Sequence, residues 1–466
     1  MSISVVSMLL AGCSSSGRKT NVYFEDLAAS AAITVSENAS HSDALSGAGG
    51  TWNAEEQGAY VEIDFGKDVT LNTVILREKS DCVKQFTVYY LNGSDYTLLY
   101  QQDRIDEFRL CATEEITTSS LWIVFDSFDG TLKLGKINVC LLNDYNRNDF
   151  KVTSYITSSV DAQTGKSQIQ QGSEDDGFVQ RFSVLTDAII IGVVGLNEDG
   201  TLRCDDVERF KNDVQILKQI NPDMNVRFTL MTGLVDGDFN ANKRAIVKFV
   251  NNGLDEYQKN LSEFIAETGV DGVDFDWEYP QLPHEWSAYG KLLIATKQTL
   301  NGGDVSVALW PYGVNLSKEA RACIDNVNIM AYDQFDERGD QSSIYEMGQK
   351  TIDYFLDLGF SKEQLCLGIP FYGRTADEYA IWPSYDEDYG KWGNYRENFE
   401  YQDAEGVTQT STVYLNGYAM VRDKTALALY NDLGGIMIFN SNCDISYNSE
   451  YALHRAVNEV MEQRIR

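Results

Sequence analysis

The sequence predicts an all-β sandwich followed by a (β/α)8 TIM barrel, and three observations support this fold class. Eight short apolar runs recur after residue 150, with amphipathic segments between them. Repeated strand–helix alternation of this kind is typical of a parallel barrel. Before residue 145, apolar and polar residues alternate in short runs separated by turn residues, which is typical of a sandwich. The length of 466 residues also favours two domains over one.

The first segment, 1–20, is apolar up to Cys13 and polar after it. Residues 9–12 read Leu-Leu-Ala-Gly, so the segment resembles a bacterial lipoprotein signal. The resemblance implies that Cys13 is acylated, that 14–20 form a tether, and that the protein is exported and lipid-anchored on the periplasmic or cell-surface side. The apolar run is too short to cross a bilayer as a helix.

The second segment, 21–145, carries the predicted strands of the sandwich. Turn residues at 92–95 and 129–130 predict tight connections between them. The polar stretch 143–148 predicts a hinge, which would let 150–466 fold alone. The predicted strands are Val61–Phe65, Thr73–Leu76, Phe86–Tyr90 and Leu121–Phe125.

This second segment is similar to the discoidin, or coagulation-factor C-type, domain, which is also the fold of family 32 carbohydrate-binding modules. The similarity lies in 39–40, the loop 49–52, and the strands 60–65 and 83–90. It implies carbohydrate binding, and a structural calcium in a loop that includes Asp43 with Glu56 close by. Taken singly, each candidate sugar contact could also be an ordinary surface or core residue. These candidates are His41, Trp52, Arg77 and Glu78.

The third segment, 150–466, carries the predicted barrel. A doubly wound open sheet is the alternative, but it calls for a Gly-rich phosphate loop after an early strand, which the sequence lacks. The predicted strands are Val152–Ile156, Ala188–Val194, Val226–Met231, Val270–Trp277, Val305–Trp310, Val327–Ala331, Leu365–Ile369 and Gly435–Phe439. The predicted helices are Val207–Ile220, Ala241–Ala266, Trp286–Leu300, Ile344–Leu358 and Ala419–Asp432.

The fourth of these strands carries a row of acids. Side chains alternate along a strand, so Asp274, Asp276 and Glu278 share one face. A solvated acidic edge strand is the simple interpretation, but the intervening Phe275 and Trp277 make the segment too apolar for it. We expect a catalytic acid, Glu278, at the carboxyl end of the strand, with the two aspartates tuning its proton.

The stretch 271–280 resembles the signature of the family 18 glycoside hydrolases, the chitinase family, read as Asp-Gly-x-Asp-x-Asp-x-Glu. Its five fixed positions are Asp271, Gly272, Asp274, Asp276 and Glu278. The following 279–280 are more similar to the chitinase branch than to the endo-β-N-acetylglucosaminidase branch. Three later segments, 328–333, 367–374 and 433–437, resemble the family's motifs on barrel strands six, seven and eight.

The resemblance implies the roles of the site residues. Glu278 is the general acid and then the base, Asp276 orients the substrate's acetamido group, Asp274 shares the proton of Asp276, and Tyr332 bonds the acetamido oxygen. It implies no cofactor for catalysis and no metal in the barrel. The implied substrate contacts are Tyr155, Trp310, Met330, Asp333, Tyr372, Arg374 and Phe439.

The sequence departs from the family pattern in three places. Phe439 stands where the family usually has a Trp whose ring lies under the sugar at the cleavage point. Residues 230–233 replace the usual Ser-x-Gly-Gly of strand three. The stretch 374–417 is shorter than the insertion of many chitinases, which predicts a more open groove. Its aromatic residues suit sugar stacking or, equally, a small subdomain core. They are Tyr379, Trp382, Tyr385, Tyr389, Trp392 and Tyr395.

Composition limits the partners. The net charge of −32 argues against nucleic acids and anionic membrane surfaces, and is compatible with a neutral GlcNAc-containing saccharide. Eight cysteines without a Cys-x-x-Cys pair and three histidines make a zinc site unlikely. The resemblance to family 18 implies hydrolysis of β-1,4-linked N-acetylglucosamine polymers, and we expect a monomer.

Three alternative functions are left open by the sequence. An endo-β-N-acetylglucosaminidase acting on N-linked glycans would use the same chemistry in a different cleft. A non-catalytic chitinase-like binding protein usually lacks the acid, whereas Glu278 and both aspartates are present here. In the third alternative the N-terminal domain is an adhesin and the barrel is its scaffold.

Overall fold

Antiparallel sheets form the N-terminal part of the computed structural model, which describes residues 24–144, 147–231, 239–333, 341–377 and 381–465. One sheet has the strand order β1-β3-β6-β4-β5, with β8 pairing to β3, and β2 pairs with β7 in a second sheet. Both sheets contribute to one apolar cluster. The strands are β1 Ala32–Val35, β2 Trp52–Ala54, β3 Ala59–Leu76, β4 Val83–Asn92, β5 Asp95–Gln102, β6 Arg109–Phe128, β7 Leu132–Leu134 and β8 Asn138–Cys140. Short helices are α1 Asp43–Ser46 and the 3-10 turns Leu27–Ser30 and Ala39–His41.

The sequence patterns located these strands but not their lengths. The hairpin at 92–95 is confirmed, with Gly93 in the left-handed region between β4 and β5. The two runs predicted at 61–65 and 73–76 are one long strand, β3, because a register shift between Asp64 and Val69 absorbs the polar residues between them.

A closed barrel of eight parallel strands forms the C-terminal part, in the order β10-β13-β14-β15-β16-β17-β21-β9. Each predicted barrel strand is present with ends shifted by a few residues. The strands are β9 Lys151–Thr157, β10 Asp187–Ile191, β13 Asn225–Met231, β14 Gly272–Asp276, β15 Asp304–Leu309, β16 Asn326–Ile329, β17 Leu365–Pro370 and β21 Gly435–Phe439. A hairpin of β11 Val194–Leu196 and β12 Leu202–Cys204 follows β10.

Helices surround the barrel, and apolar side chains fill the space between the helices and the strands. The helix predicted over 241–266 is two helices, α5 and α6, because Gly253 between them has φ +145°, which no helix contains. The helices are α2 Gln168–Gly172, α3 Asp176–Ser183, α4 Val207–Ile220, α5 Phe239–Asn252, α6 Asp255–Thr268, α7 Pro283–Leu300, α8 Lys318–Arg321, α9 Lys350–Asp357, α10 Tyr418–Tyr430 and α11 Leu453–Arg464. A π-helical turn, Tyr345–Gln349, precedes α9, and 3-10 turns are Lys362–Gln364, Glu387–Tyr389 and Ser441–Cys443.

A small antiparallel sheet, the insertion sheet, lies between β17 and α10. Its strands are β18 Arg374–Thr375, β19 Tyr395–Gln402 and β20 Thr408–Tyr414, in the order β18-β20-β19. Of the aromatic residues predicted for stacking, Trp382 and Tyr395 are exposed while Tyr385 is buried, and Tyr379 lies outside the described residues. The stretch therefore contains both core and surface aromatics.

The N-terminal sheets and the barrel share a buried interface. Asp423 on α10 is fully buried and accepts hydrogen bonds from Tyr100 at 2.5 Å, Arg109 at 2.8 Å and the Ala112 backbone N–H at 2.7 Å. Apolar residues of β3, β6 and β8 belong to the same apolar cluster as the barrel core. The two parts of the chain are therefore packed as one body.

The stretch predicted to be a hinge is held to the barrel in its described residues. The Asp144 backbone N–H donates to the Arg464 carbonyl at 2.7 Å, and the buried Arg147 donates to the Leu433 carbonyl. Within the described part of the chain, no helix has the length and apolar character needed to cross a bilayer. The predicted acylation site, Cys13, lies outside the described residues.

Candidate active site

The three acids of the β14 segment point into the barrel, as the period-two pattern predicts. Asp274 and Asp276 are buried within the strand, and Glu278 is half-buried just beyond its carboxyl end. The strand fits closely against β15, because a Cβ at Gly272 would collide with the Asp304 carbonyl. The row of acids therefore runs from the barrel interior to its carboxyl-end mouth, where barrel enzymes place their chemistry.

Asp274 is fixed at the inner end of this row. It accepts hydrogen bonds from the Tyr155 hydroxyl at 2.8 Å, from the Ser306 hydroxyl, and from the Asn328 amide at 3.2 Å. Burial raises the pKa of Asp274, while the Ser306 hydroxyl, the Arg227 cation and the Tyr155 hydroxyl act in the opposite direction. Asp274 is therefore held in one position and is shielded from solvent.

Asp276 and Glu278 form a coupled pair at the outer end. Burial is the main reason that the pKa of Asp276 lies well above its ordinary value, and the neighbouring charges of Glu278 and Asp274 add to it. Burial also raises the pKa of Glu278, although hydrogen bonds with Tyr279 and Asp276 oppose the shift. A proton on either of these neighbouring carboxyls removes the repulsion between their charges, so the pair favours binding a proton. Sharing of this proton between Asp276 and Asp274 stays a prediction.

Aromatic rings form the floor beside these acids. Phe439 stacks with Tyr332 at 5.9 Å between ring centroids and lies 5.5 Å from the Tyr155 ring. Met330 is buried in the same cluster. Burial, followed by the charges of Asp276 and Asp333, keeps the pKa of Tyr332 well above its ordinary value. The Tyr332 phenol therefore keeps its proton and is a hydrogen-bond donor at neutral pH.

An arginine–aspartate pair closes another side of the mouth. Arg374 donates from Nε and Nη2 to the two carboxylate oxygens of Asp333, each at 2.6 Å, and the Tyr372 hydroxyl donates to Asp333 at 2.8 Å. The Arg374 guanidinium also lies 4.2 Å from the centre of the exposed Trp382 ring. Both oxygens of Asp333 are thus engaged in a bidentate contact.

A second aromatic wall lies on the β15 side of Glu278. Tyr279 and Trp310 are 5.9 Å apart between ring centroids, and Trp310 is 6.2 Å from the exposed Tyr312. These rings border a cavity of about 300 Å³. Aromatic faces next to an acid suit a saccharide, whose rings present apolar C–H faces.

Sequence reasoning missed Ser306 and Asn328, which hold Asp274. The signal was available, because each is a polar residue inside an otherwise apolar predicted strand. In a parallel barrel such residues point to the interior. The strand-three segment 230–233 lies partly outside the described residues, beyond 231.

The predicted sugar contacts of the N-terminal part are placed differently. Trp52 is wholly buried and its indole N–H donates to the Glu37 carbonyl at 2.8 Å, so its ring has no face for a ligand. Arg77 donates to the Asn138 side chain at 2.6 Å, and the buried Glu78 accepts from the Cys82 backbone N–H. Trp52, Arg77 and Glu78 therefore hold neighbouring loops in place through these hydrogen bonds. His41, in contrast, is exposed.

Calcium binding in the loop around Asp43 and Glu56 stays a prediction. Within the described ranges, no three His, Cys, Asp or Glu side chains converge as metal ligands. Near Asp43 and Glu56, the engaged carboxylate is Glu37, which accepts the backbone N–H groups of Glu55 and Glu56. Glu37 therefore holds this loop in place through its backbone.

A family model and several curated proteins match this chain. The model of the glycosyl hydrolases family 18 matches residues 151–444. "Probable chitinase 2" of Drosophila melanogaster is 29% identical over 169 residues, which are 31% of this chain and 35% of that protein. "Chitinase A1" of Niallia circulans is 26% identical over 207 residues, 36% and 29% of the two chains. The chain thus spans about a third of the length of the curated relatives it matches.

Solved structures share the fold at low sequence identity. The chitinase ChiB from the chitin utilization locus of Flavobacterium johnsoniae has a TM-score of 0.52 and 20% identity, covering 68% of this chain and 95% of that one. A Cycas revoluta chitinase in complex with (GlcNAc)3 has a TM-score of 0.50 and 17% identity, with 66% and 99% covered.

Proposed function

Because the chain belongs to the glycosyl hydrolases family 18, we propose that it hydrolyses β-1,4-linked N-acetylglucosamine bonds with retention of configuration. One observation carries the proposal: Glu278 stands half-buried at the barrel mouth beside the buried Asp276, and the pKa of each is raised by burial. A carboxyl that stays protonated above its ordinary pKa is suited to protonate a glycosidic oxygen.

The substrate's own acetamido group is the nucleophile in this proposal. A double-displacement enzyme needs a second, free carboxylate facing the sugar. Asp333 has both oxygens engaged by Arg374, and Asp274 is held by three donors inside the barrel. Among the residues that the structure describes, these contacts leave Asp276 and Glu278 as the acids available at the mouth, and both belong to the same strand segment.

The proposed steps follow from these positions. Glu278 donates its proton to the leaving oxygen while the acetamido oxygen attacks the anomeric carbon and the glycosidic bond breaks. Asp276 accepts the acetamido N–H and offsets the positive charge of the cyclic intermediate, its own proton passing toward Asp274. Tyr332 donates to the acetamido oxygen. Glu278 then accepts a proton from the incoming water while the water oxygen attacks the anomeric carbon. This attack opens the cyclic intermediate and leaves Glu278 protonated again.

The substrate class is proposed from charge, aromatic surface and relatives. A chain with net charge −32 repels polyanions, and a neutral saccharide avoids that penalty. The rings of Phe439, Trp310 and Tyr279 offer stacking faces. Two of the curated relatives carry the name chitinase, and a structural neighbour was solved with a GlcNAc trisaccharide.

Product analysis on two substrates tests the substrate class. We expect the protein to shorten chitin oligomers and to leave a high-mannose glycopeptide intact. The masses of the products in both digests are measured by mass spectrometry. Cleavage of the glycopeptide core with intact chitin oligomers would instead identify an endo-β-N-acetylglucosaminidase. Binding without cleavage of either would identify a chitinase-like binding protein.

Anchoring and substrate capture complete the proposal. We propose that Cys13 is acylated and holds the protein on the outer side of a bacterial membrane, and that the discoidin-like N-terminal part contributes to saccharide binding. Cys13→Ala should then move the protein from the membrane fraction to the soluble fraction. A wild-type chain that is wholly soluble and carries no acyl group by mass spectrometry would contradict the anchor.

A further inference from the structure

A cleft separates the N-terminal sheets from the insertion sheet and encloses a cavity of about 490 Å³. The N-terminal wall carries Lys84, Asp103 and Arg104, and the opposite wall carries Tyr395 and Tyr414, with Glu397 and Thr412 beside them. Since both parts of the chain build this cleft, it exists only while they stay packed together.

The strand register connects this cleft to the active site. Arg374 on β18 pairs with Tyr414 on β20, and Tyr414 pairs in turn with Tyr395 on β19. Directly paired residues point to the same face of a sheet, so the three side chains form one row. Two strand spacings place Tyr395 roughly 10 Å from Arg374, which itself borders the mouth through Asp333.

The polar groups of the cleft suit hydroxyl groups. Asp103 is half-buried and lines the cleft, so its carboxylate is placed to accept protons from ligand hydroxyl groups. Arg104 is 3% exposed and already donates to Ser342 at 3.1 Å. The Arg104 side chain is therefore held in one position and forms part of the cleft wall.

Aromatic surface and balanced charge narrow the ligand class. The Tyr395 side chain is 47% exposed and lies 6.2 Å from Tyr414 between ring centroids. Carboxylates and cations line the same cleft, so it selects neither an anion nor a cation. A neutral saccharide chain fits both the exposed tyrosine surface and the mixed charges, because it has apolar ring faces and many hydroxyl groups.

We propose that this cleft is a distal binding subsite for the saccharide whose cleavage occurs at Glu278. The inference rests on the proposed function, because it takes the ligand to be the far part of the same GlcNAc chain. Tyr395 provides the stacking face and Asp103 accepts hydroxyl protons from the N-terminal side. The N-terminal part thus contributes to substrate binding through its junction with the barrel.

Steady-state kinetics of Tyr395→Ala and Asp103→Ala on a long and a short substrate test the proposal. For the hexamer of N-acetylglucosamine, each change should raise KM roughly three- to tenfold, the worth of one stacking or hydrogen-bonding contact, with kcat nearly unchanged. For an aryl glycoside of the GlcNAc dimer, which is too short to reach the cleft, both constants should stay at the wild-type value. Tyr96→Ala is the control, since Tyr96 is 37% exposed and does not line the cleft.

The outcomes separate this inference from the proposed function. Wild-type cleavage of both substrates together with unchanged KM in both variants overturns the distal subsite alone. Equal losses on the long and the short substrate also overturn it, because they indicate a general defect. If the wild-type protein cleaves neither substrate and the Glu278→Gln protein does not bind the hexamer in calorimetry, the proposed function and the subsite both fail.

Discussion

Glu278→Gln is expected to lower kcat on chitin oligomers by roughly 10²–10⁴-fold while substrate binding is retained. The amide keeps the shape and the half-buried position of the side chain. It removes the proton that the leaving oxygen needs and the base that activates water. Single-turnover kinetics gives the loss in rate, and calorimetry with the same oligomer gives the binding constant.

Glu267→Gln is the matched control for this change. Glu267 is exposed on α6, so the same chemical substitution there should leave kcat at the wild-type value. The account would be contradicted if the Glu278→Gln enzyme kept its kcat to within about tenfold, since general acid–base catalysis is worth more than that. Asp276→Asn should also lower kcat, because the intermediate loses a charged partner.

Asp423→Ala is expected to lower the free energy of unfolding by about 3–5 kcal/mol. The substitution leaves the buried Arg109 cation, the Tyr100 hydroxyl and the Ala112 N–H without their shared acceptor. Denaturation followed by circular dichroism measures the effect. We expect one transition in the wild-type protein, because the N-terminal part and the barrel share this buried junction.

An exposed ion pair supplies the control for this stability prediction. The side chains of Lys84 and Asp129 are 52% and 80% exposed and lie 3.3 Å apart. Asp129→Ala should therefore cost less than about 1 kcal/mol. If Asp423→Ala also cost less than about 1 kcal/mol, the junction would contribute little to stability. Two separate transitions in the wild-type protein would lead to the same conclusion.

The barrel and its acids could be predicted from the sequence because their causes are local. A buried parallel strand needs a continuous apolar run, and each of the eight runs forms its strand. Period two alone places Asp274, Asp276 and Glu278 on one face. Long-range contacts could not be predicted in this way. The pairing of Asp274 with Ser306 depends on the register between two strands, which a single strand does not encode.

The N-terminal part shows where sequence reasoning about a site fails. Trp52 was a candidate sugar contact because the loop 49–52 resembles that of discoidin-like modules, but the alternative of a core residue is the one found, with its ring buried beside Phe125. An aromatic residue at a loop end has the same sequence context whether it packs inward or outward. The polar stretch 143–148 indicated a hinge for a similar reason. Its charged residues satisfy buried partners of the barrel instead.

The anomeric form of the first product tests the central claim, substrate-assisted retention, most directly. Proton NMR in the first minutes of hydrolysis, before mutarotation, should show the β-anomer from a β-linked GlcNAc oligomer, because two inversions at the anomeric carbon restore its configuration. The matching glucose oligomer, which lacks the acetamido group, should remain uncut in the same experiment. An initial α-anomer, or brisk hydrolysis of the glucose oligomer, would contradict the account.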